Sequence, residues 1–219
     1  MSGIKVHGHQ LEYKYIGPST GEAPTLVFLH EGLGSVGAWQ DFPERMVAAT
    51  GLGALVYSRA GYGKSDPLSL PWPTSFMHDA ALEELPQLLD VLNVGNAILY
   101  GHSDGGSIAL INAGSDKANN VRALILEAPH VFVEDRTVAG IVAAQRAYEN
   151  GSLKPSLERY HGDNVDSTFR GWSDVWLRPE FRSWNIESYL PNIEVPVLLF
   201  QGENDEYGTL RQVEAIKHG

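Results

Sequence analysis

The stretch AILYGHSDGGSIALI, residues 97–111, passes from a strand-like apolar run through a G-x-S-x-G turn into a helix-like segment. A turn this tight strains the backbone of its central residue, Ser103, and side chains two positions before and after would collide, which explains Gly101 and Gly105. The turn presents the Ser103 hydroxyl above the sheet and aims the amide of Asp104 at the same point. The pattern therefore predicts a nucleophile beside an anion-stabilising amide. The flanking strand and helix argue against a chance match in a glycine-rich loop.

Composition narrows the classes of function. The chain has 219 residues, enough for one domain with a sizeable core or one domain with an insertion. Its 16 Lys and Arg against 27 Asp and Glu give a net charge of −11, which argues against nucleic acid or a membrane as partner and favours a small-molecule substrate. The absence of cysteine excludes disulfides and thiolate chemistry. Residues 1–5 lack the apolar core of a signal peptide, so we expect a cytoplasmic location.

Short apolar runs alternate with helix-like segments along most of the chain. The runs indicate strands buried on both faces, and they lie at 25–30, 54–58, 97–100, 123–126 and 195–200. The helix-like segments lie at 42–49, at 78–92 and after Ser103. Runs at 4–6 and 11–16 flank a polar turn and predict an opening antiparallel hairpin. Together these patterns predict an α/β fold with a doubly wound, mostly parallel sheet.

The stretch 131–191 breaks this alternation and is interpreted as a helical insertion. Trp172, Trp176 and Trp184 fall within it. Aromatic residues spaced four apart mostly mark a buried helix face, and that is one interpretation. The other is a lid whose aromatic underside forms an apolar pocket over Ser103. The predicted organisation is therefore a first part of the core at 1–130, the helical lid at 131–191 and a return to the core at 192–219.

A second glycine pattern offers a rival interpretation. A literal G-x-G-x-x-G follows the strand at 25–30 and consists of Gly32, Gly34 and Gly37. In a dinucleotide fold this loop would cradle a pyrophosphate, and Arg59 would suit a 2′-phosphate. Trp39 and Pro43 interrupt the helix that such a loop requires. The dinucleotide interpretation also gives the Ser103 turn no role. We therefore predict no cofactor and no metal, with a nucleotide-dependent reductase as the rival hypothesis.

Four motifs in order resemble the α/β-hydrolase superfamily, and the resemblance extends from 11 to 205. They are the nucleophile elbow at 101–106, a loop at 30–35 similar to the family's His-Gly oxyanion loop, a stretch at 58–66 similar to its arginine-glycine loop, and a late strand with the triad acid at 200–205. Glu31 stands where the family usually has glycine, and Ser58 where it often has aspartate. The first departure leaves open whether the amide of Glu31 or of Gly32 completes the oxyanion hole.

The resemblance implies a lidded serine esterase. Ser103 would attack an acyl carbonyl, and the amides of Gly32 and Asp104 would hold the oxyanion. Asp205 would orient a histidine base, unless it is a solvated turn residue. The expected substrate pocket consists of His30, His102, Trp172 and Trp176.

The histidine base has no clear candidate. The family places it after the acid, but beyond Asp205 the chain reads as one helix, and His218 at its end is a poor positional match. The earlier histidines that could line a pocket are His78, His130 and His161. We hypothesise a C-terminally incomplete hydrolase that lacks its last strand, its histidine and a covering helix. Such a chain would expose an apolar sheet edge at 195–200, and we expect self-association there.

The leading hypothesis for function is cleavage of a carboxylic ester of a small to medium, partly apolar substrate through an acyl-enzyme. A thioesterase, a C–C bond hydrolase or an acyltransferase would use the same residues, because specificity is set by the pocket. A different class of protein is a catalytically incomplete ligand-binding scaffold on the same fold.

Overall fold

One mixed sheet of seven strands organises the computed structural model, which describes residues 2–18 and 23–219. The strands are β1 Ser2–Val6, β2 His9–Ile16, β3 Thr25–Leu29, β4 Gly53–Tyr57, β5 Ala97–His102, β6 Val121–Glu127 and β7 Val197–Phe200. Their spatial order is β1-β2-β4-β3-β5-β6-β7. Strands β3 to β7 pair in parallel, whereas β2 pairs antiparallel with both β1 and β4. The predicted opening hairpin and the mostly parallel α/β sheet are thus confirmed.

The central strands are apolar on both faces because helices cover both sides of the sheet. Every side chain of β3 and β4 is buried. Strand β7 differs, since it pairs only with β6 among the described strands. Val197, Leu198 and Phe200 are 40%, 52% and 49% exposed. Burial on both faces was therefore the wrong expectation for this strand, because it lies at the edge of the sheet, and the expected exposed apolar edge is present.

Eight α-helices are present in the described part of the chain. They are α1 Phe42–Thr50, α2 Phe76–Asp79, α3 Leu85–Val91, α4 Asp104–Ala113, α5 Asp135–Glu149, α6 Lys154–His161, α7 Val165–Leu177 and α8 Leu210–His218. Short 3-10 helices lie at Ala118–Asn120, Gly162–Asn164, Pro179–Ser183 and Glu187–Asn192. None of the helices in residues 2–18 and 23–219 has the length and apolarity that crossing a bilayer requires.

The helix predicted at 78–92 is α2 and α3 joined by a π-helical turn, Ala80–Glu84. Pro86 in the first turn of α3 has no N–H to donate to the carbonyl four residues earlier, which lies inside the π turn. Turns of this kind are often found at functional sites. The wider turn carries Glu84, a carboxylate that is only 7% exposed.

Helices α5, α6 and α7 lie between β6 and β7, in the stretch predicted as an insertion. The three tryptophans of this stretch belong to the same apolar core as the sheet, and Trp172, Trp176 and Trp184 are 6%, 1% and 8% exposed. Trp176 and Trp184 pack edge to face with their ring centroids 5.6 Å apart. The spacing of four in α7 therefore marks a buried helix face. The lid role and the domain bounds remain predictions.

Candidate active site

The backbone at Ser103 is strained. The residue has φ 50° and ψ −117° and caps α4 directly after β5. A Cβ added to Gly101 would lie 2.5 Å from the carbonyl oxygen of Gly105, and one added to Gly105 would lie 2.0 Å from that of Leu29. The Ser103 N–H donates to the Glu127 carbonyl at 2.8 Å, which ties the turn to the end of β6. The structure thus has the glycine-dependent turn that the sequence predicts.

Two backbone amides beside this turn have no backbone carbonyl as acceptor among the described residues. The Asp104 amide begins α4 and therefore has no acceptor within the helix. The Gly32 amide donates to no other backbone group among the described residues. The start of α4 abuts the loop that carries Gly32, since a Cβ at Gly105 would also lie 2.7 Å from the carbonyl oxygen of His30. Trp172 closes over this loop, and its indole Nε1 is 2.0 Å from where a Cβ of Gly32 would lie.

His30 and Arg59 support the loop from beneath. The Arg59 guanidinium donates to the carbonyls of His30 at 2.6 Å and Glu31 at 3.2 Å. The Arg59 amide donates to His30 Nε2 at 3.2 Å, so the imidazole carries its proton on Nδ1 and donates it to the Glu31 carbonyl at 2.7 Å. Burial, and then the charge of Arg59, hold the pKa of His30 well below its usual value. His30, predicted to line the pocket, thus lies fully buried under the loop.

These contacts contradict the dinucleotide interpretation of Gly32, Gly34 and Gly37. Arg59 is only 2% exposed, and its two terminal nitrogens bond to loop carbonyls, so it is not placed to meet a 2′-phosphate. No helix begins at the third glycine, because α1 begins only at Phe42. The pyrophosphate cradle of such a fold needs a helix N-terminus at that position.

Ser58 stands where the family often has aspartate, and Glu12 supplies a carboxylate beside it. The Ser58 hydroxyl donates to Glu12 Oε2 at 2.8 Å and accepts the Val36 N–H at 2.9 Å. The Lys64 N–H also donates to Glu12 Oε2, at 3.0 Å. A carboxylate from β2 thus replaces the aspartate that the family often has at position 58. The sequence analysis missed Glu12, although a charged residue inside a predicted strand was a usable signal.

The Glu31 side chain lies between His102 of the elbow and Gly34 of its own loop. Its Oε2 lies 3.7 Å from His102 Nδ1, and both side chains are about one third exposed. Burial opposes ionisation of each group, but their mutual attraction prevails, so the pKa of Glu31 is lowered and that of His102 is raised. Gly34 makes room for this carboxylate, which would lie 2.3 Å from a Cβ at that position. Gly34 thus accommodates the side chain that stands where the family usually has glycine.

Asp205 follows β7 and lies near two histidines. Its Oδ1 accepts the N–H groups of Tyr207 at 2.7 Å and Gly208 at 2.9 Å. Burial lowers the pKa of His130 to about 4, while the charge of Asp205 opposes this change. The same charge contributes to the raised pKa of His102. Asp205 thus lies close enough to the elbow for its charge to act on His102, the residue before Ser103.

No side chain within the described ranges hydrogen-bonds to Ser103 Oγ, so this criterion identifies none of their histidines as its base. His161 accepts the Gly63 N–H at Nδ1 and bonds through Nε2 to the Leu33 carbonyl, which makes it a structural link. His218 Nδ1 bonds to the Glu214 carbonyl of its own helix. The His78 ring lies against Tyr189. The His130 ring packs on Trp176 with the centroids 5.4 Å apart.

Comparison with known proteins gives several sequence matches, which include a lipase and a peptidase. The chain is 32% identical over 106 residues to the sn-1-specific diacylglycerol lipase ABHD11 of Danio rerio. The aligned region covers 48% of this chain and 32% of the lipase. The chain thus spans only about a third of that relative's length. It is 28% identical over 238 aligned positions to the proline iminopeptidase of Lactobacillus helveticus, covering 90% of this chain and 79% of the peptidase.

The fold matches solved structures over nearly its whole length. The enol-lactonase from Burkholderia xenovorans LB400 superposes with a TM-score of 0.75 at 20% identity, covering 99% of this chain and 87% of the lactonase. The family model described as the alpha/beta hydrolase family matches residues 26–216, which extend from the second residue of β3 through β7 and α4 with the Ser103 turn. The elbow, the oxyanion-type loop and this match agree, and the chain belongs to the alpha/beta hydrolase family.

Proposed function

We propose that the protein is a serine hydrolase that cleaves a carboxylic ester of a small to medium, partly apolar substrate in the cytoplasm. The single observation that carries the proposal is the strained backbone of Ser103, φ 50° and ψ −117°, beside two available amides. Strain of this kind persists where the surrounding structure enforces it, and it concentrates at functional sites. Here the glycines at 101 and 105 and the end of β3 enforce it.

The proposed reaction proceeds through an acyl-enzyme. Ser103 Oγ loses its proton to a base and bonds to the carbonyl carbon, while the amides of Gly32 and Asp104 hold the oxyanion. The oxyanion collapses, the alcohol leaves with a proton, and water then releases the acid from Ser103. Asp205 is proposed to orient the base. The proposal assigns no described histidine to that role.

The names of the relatives support acyl chemistry in general. A lipase, an iminopeptidase and an enol-lactonase all act on acyl bonds, although they differ in the group that leaves. Thioester, C–C bond and acyl-transfer reactions on the same residues are therefore alternatives within the proposal. The absence of a hydrogen bond to Ser103 Oγ within the described ranges favours one further candidate, a ligand-binding scaffold without turnover.

A nitrophenyl ester distinguishes a nucleophilic Ser103 from a scaffold without turnover. We expect nitrophenyl butyrate to release up to one nitrophenolate per chain in an initial burst and to leave a butyryl group on the peptide that contains Ser103. Ser103→Ala should show neither the burst nor the adduct. Ser115→Ala, two residues beyond the far end of α4, is the matched control and should retain both. An adduct on a different residue would refute the role of Ser103, and no adduct at all would favour the scaffold.

We further propose that the exposed edge of β7 pairs with a second copy of the chain. Edge strands with unpaired backbone groups and apolar side chains promote such pairing. Light scattering after size-exclusion chromatography should show an apparent mass that rises with concentration. Leu198→Lys should suppress this rise, whereas Leu210→Lys, a similarly exposed position on α8, should not. A monomer at every concentration would contradict the proposal.

A further inference from the structure

The indole of Trp172 carries an unused hydrogen-bond donor. Four of the five tryptophans bury the indole nitrogen without a partner, namely Trp39, Trp72, Trp176 and Trp184. Trp172 Nε1 is not buried in this way, although the whole residue is only 6% exposed, and it donates to no acceptor among the described residues. Indole N–H groups in such half-enclosed positions usually find a partner. This donor is therefore available to a ligand.

The N–H edge of this indole faces Gly32 of the oxyanion-type loop. The three atoms nearest to where a Cβ of Gly32 would lie are Trp172 Nε1 at 2.0 Å, Cδ1 at 2.5 Å and Cε2 at 2.8 Å. A Cβ lies about 2.5 Å from its own amide nitrogen, so Trp172 Nε1 is within about 4.5 Å of the Gly32 nitrogen. Two donors at that separation can share one oxygen, because each N···O distance is about 2.9 Å.

Helix α7 lies against both residues whose amides are proposed to hold the oxyanion. Trp172 contacts Gly32, and Trp176, one turn further along the helix, lies near Asp104. Burial raises the pKa of the Asp104 carboxyl to about 6, while the charge of Arg59 and the indole of Trp176 oppose this change. The Trp176 indole thus acts on the Asp104 side chain, whereas the N–H of Trp172 remains free.

Contacts with the rest of the core fix α7 in this position. Thr168 Oγ1 donates to the Gly61 carbonyl at 2.6 Å. A Cβ at Gly171 would lie 2.2 Å from the ring of Trp72, so the helix backbone packs directly on that buried ring. The donor of Trp172 is therefore held in place before a substrate arrives, which is the condition for effective stabilisation of a developing charge.

We propose that Trp172 is a catalytic residue whose indole N–H donates a third hydrogen bond to the oxyanion, beside the amides of Gly32 and Asp104. The inference rests on the proposed hydrolysis at Ser103 and adds a donor to it. The carbonyl oxygen carries a partial charge in the ester and a full charge in the tetrahedral intermediate, so this hydrogen bond strengthens as Ser103 attacks. Trp172 thus accelerates acylation more than it strengthens ester binding.

The donor is tested first without turnover, in the ¹⁵N-labelled Ser103→Ala variant. Adding Trp172→Phe identifies the Trp172 indole signal by its loss. Titration with ethyl butyrate, whose carbonyl is the acceptor, should move the Trp172 signal downfield and leave the signal of Trp184 in place. Trp172→Phe should weaken ester binding by no more than about fivefold, because a hydrogen bond to a neutral carbonyl contributes little.

Acylation is then measured as the rate constant of the nitrophenolate burst at saturating nitrophenyl butyrate. Trp172→Phe should lower this rate constant at least about tenfold, since an oxyanion donor acts mainly on the charged intermediate. Benzothienylalanine at position 172 has the shape of tryptophan but no N–H, and it should have the same effect. Trp184→Phe removes a buried indole N–H and is the matched control, which should keep the rate constant of the unmodified chain.

The outcomes separate the donor from the reaction. Circular dichroism would verify that each variant folds. The proposal is overturned if ethyl butyrate leaves the Trp172 signal unmoved, or if the benzothienylalanine variant acylates as fast as the unmodified chain. A shifted Trp172 signal without any burst in the unmodified chain would confirm the donor and contradict hydrolysis at Ser103.

Discussion

Gly105→Ala is expected to lower the free energy of unfolding by more than about 4 kcal/mol. The new Cβ would lie 2.0 Å from the carbonyl oxygen of Leu29, 2.5 Å from its carbonyl carbon and 2.7 Å from the carbonyl oxygen of His30. All three atoms are backbone at the end of β3, so no side-chain rotation relieves the clash. Helix propensity alone would predict a higher free energy of unfolding, since alanine inside a helix is favoured over glycine by about 1 kcal/mol.

The measurement is urea unfolding followed by circular dichroism. Gly95→Ala is the matched control, because a Cβ there meets nothing within 4 Å, and its stability should stay close to that of the unmodified chain. A Gly105→Ala protein as stable as this control would mean that the start of α4 does not abut β3 so closely. The geometry proposed for the nucleophile would then lose its support.

Glu12→Ala is expected to destabilise the fold by about 3 kcal/mol. The substitution leaves the Ser58 hydroxyl and the Lys64 N–H without their shared acceptor. Ser58 is fully buried, so water does not readily replace the carboxylate. Thermal and urea unfolding would measure the loss. Since Ser58 also holds the Val36 N–H, the loop after β3 should loosen at the same time.

Lys14→Ala on the same strand provides the comparison. Lys14 pairs with Glu44, but its side chain is 46% exposed, and such surface pairs contribute less than about 1 kcal/mol. A double-mutant cycle of Glu12→Ala with Ser58→Ala should be clearly non-additive, because the two side chains share one hydrogen bond. Additive losses, or equal effects at Glu12 and Lys14, would show that the carboxylate does not organise the loop.

The sequence was informative wherever structure depends on neighbours in the chain. The apolar runs predicted the positions of β3 to β7 within a few residues. For the central strands the reason is that strands buried between helices contain little else. The G-x-S-x-G spacing predicted the strain at Ser103, because local sterics alone impose it. The opening hairpin followed from two runs around His7 and Gly8, both of which have a positive φ.

The sequence was uninformative where contacts join distant segments. Glu12 and Ser58 are 46 positions apart, and no local pattern pairs them. The hydrogen bonds from Gly63 to His161 and from Arg59 to the carbonyl of His30 likewise cannot be predicted from any local sequence pattern. The π turn was missed because its residues read as an ordinary helix, and only the position of Pro86 hinted at the break.

The neutral tautomer of His30 makes the loop less sensitive to acidity than its histidine suggests. Both imidazole nitrogens are engaged, and burial and the charge of Arg59 hold the pKa of the ring well below its usual value. The oxyanion-type loop should therefore keep its shape at the pH where an ordinary histidine becomes charged, although a histidine stands at its first position. An acid limb in a pH–rate profile is expected from other groups, such as Asp104, whose pKa burial raises to about 6, and the pair of Glu31 and His102.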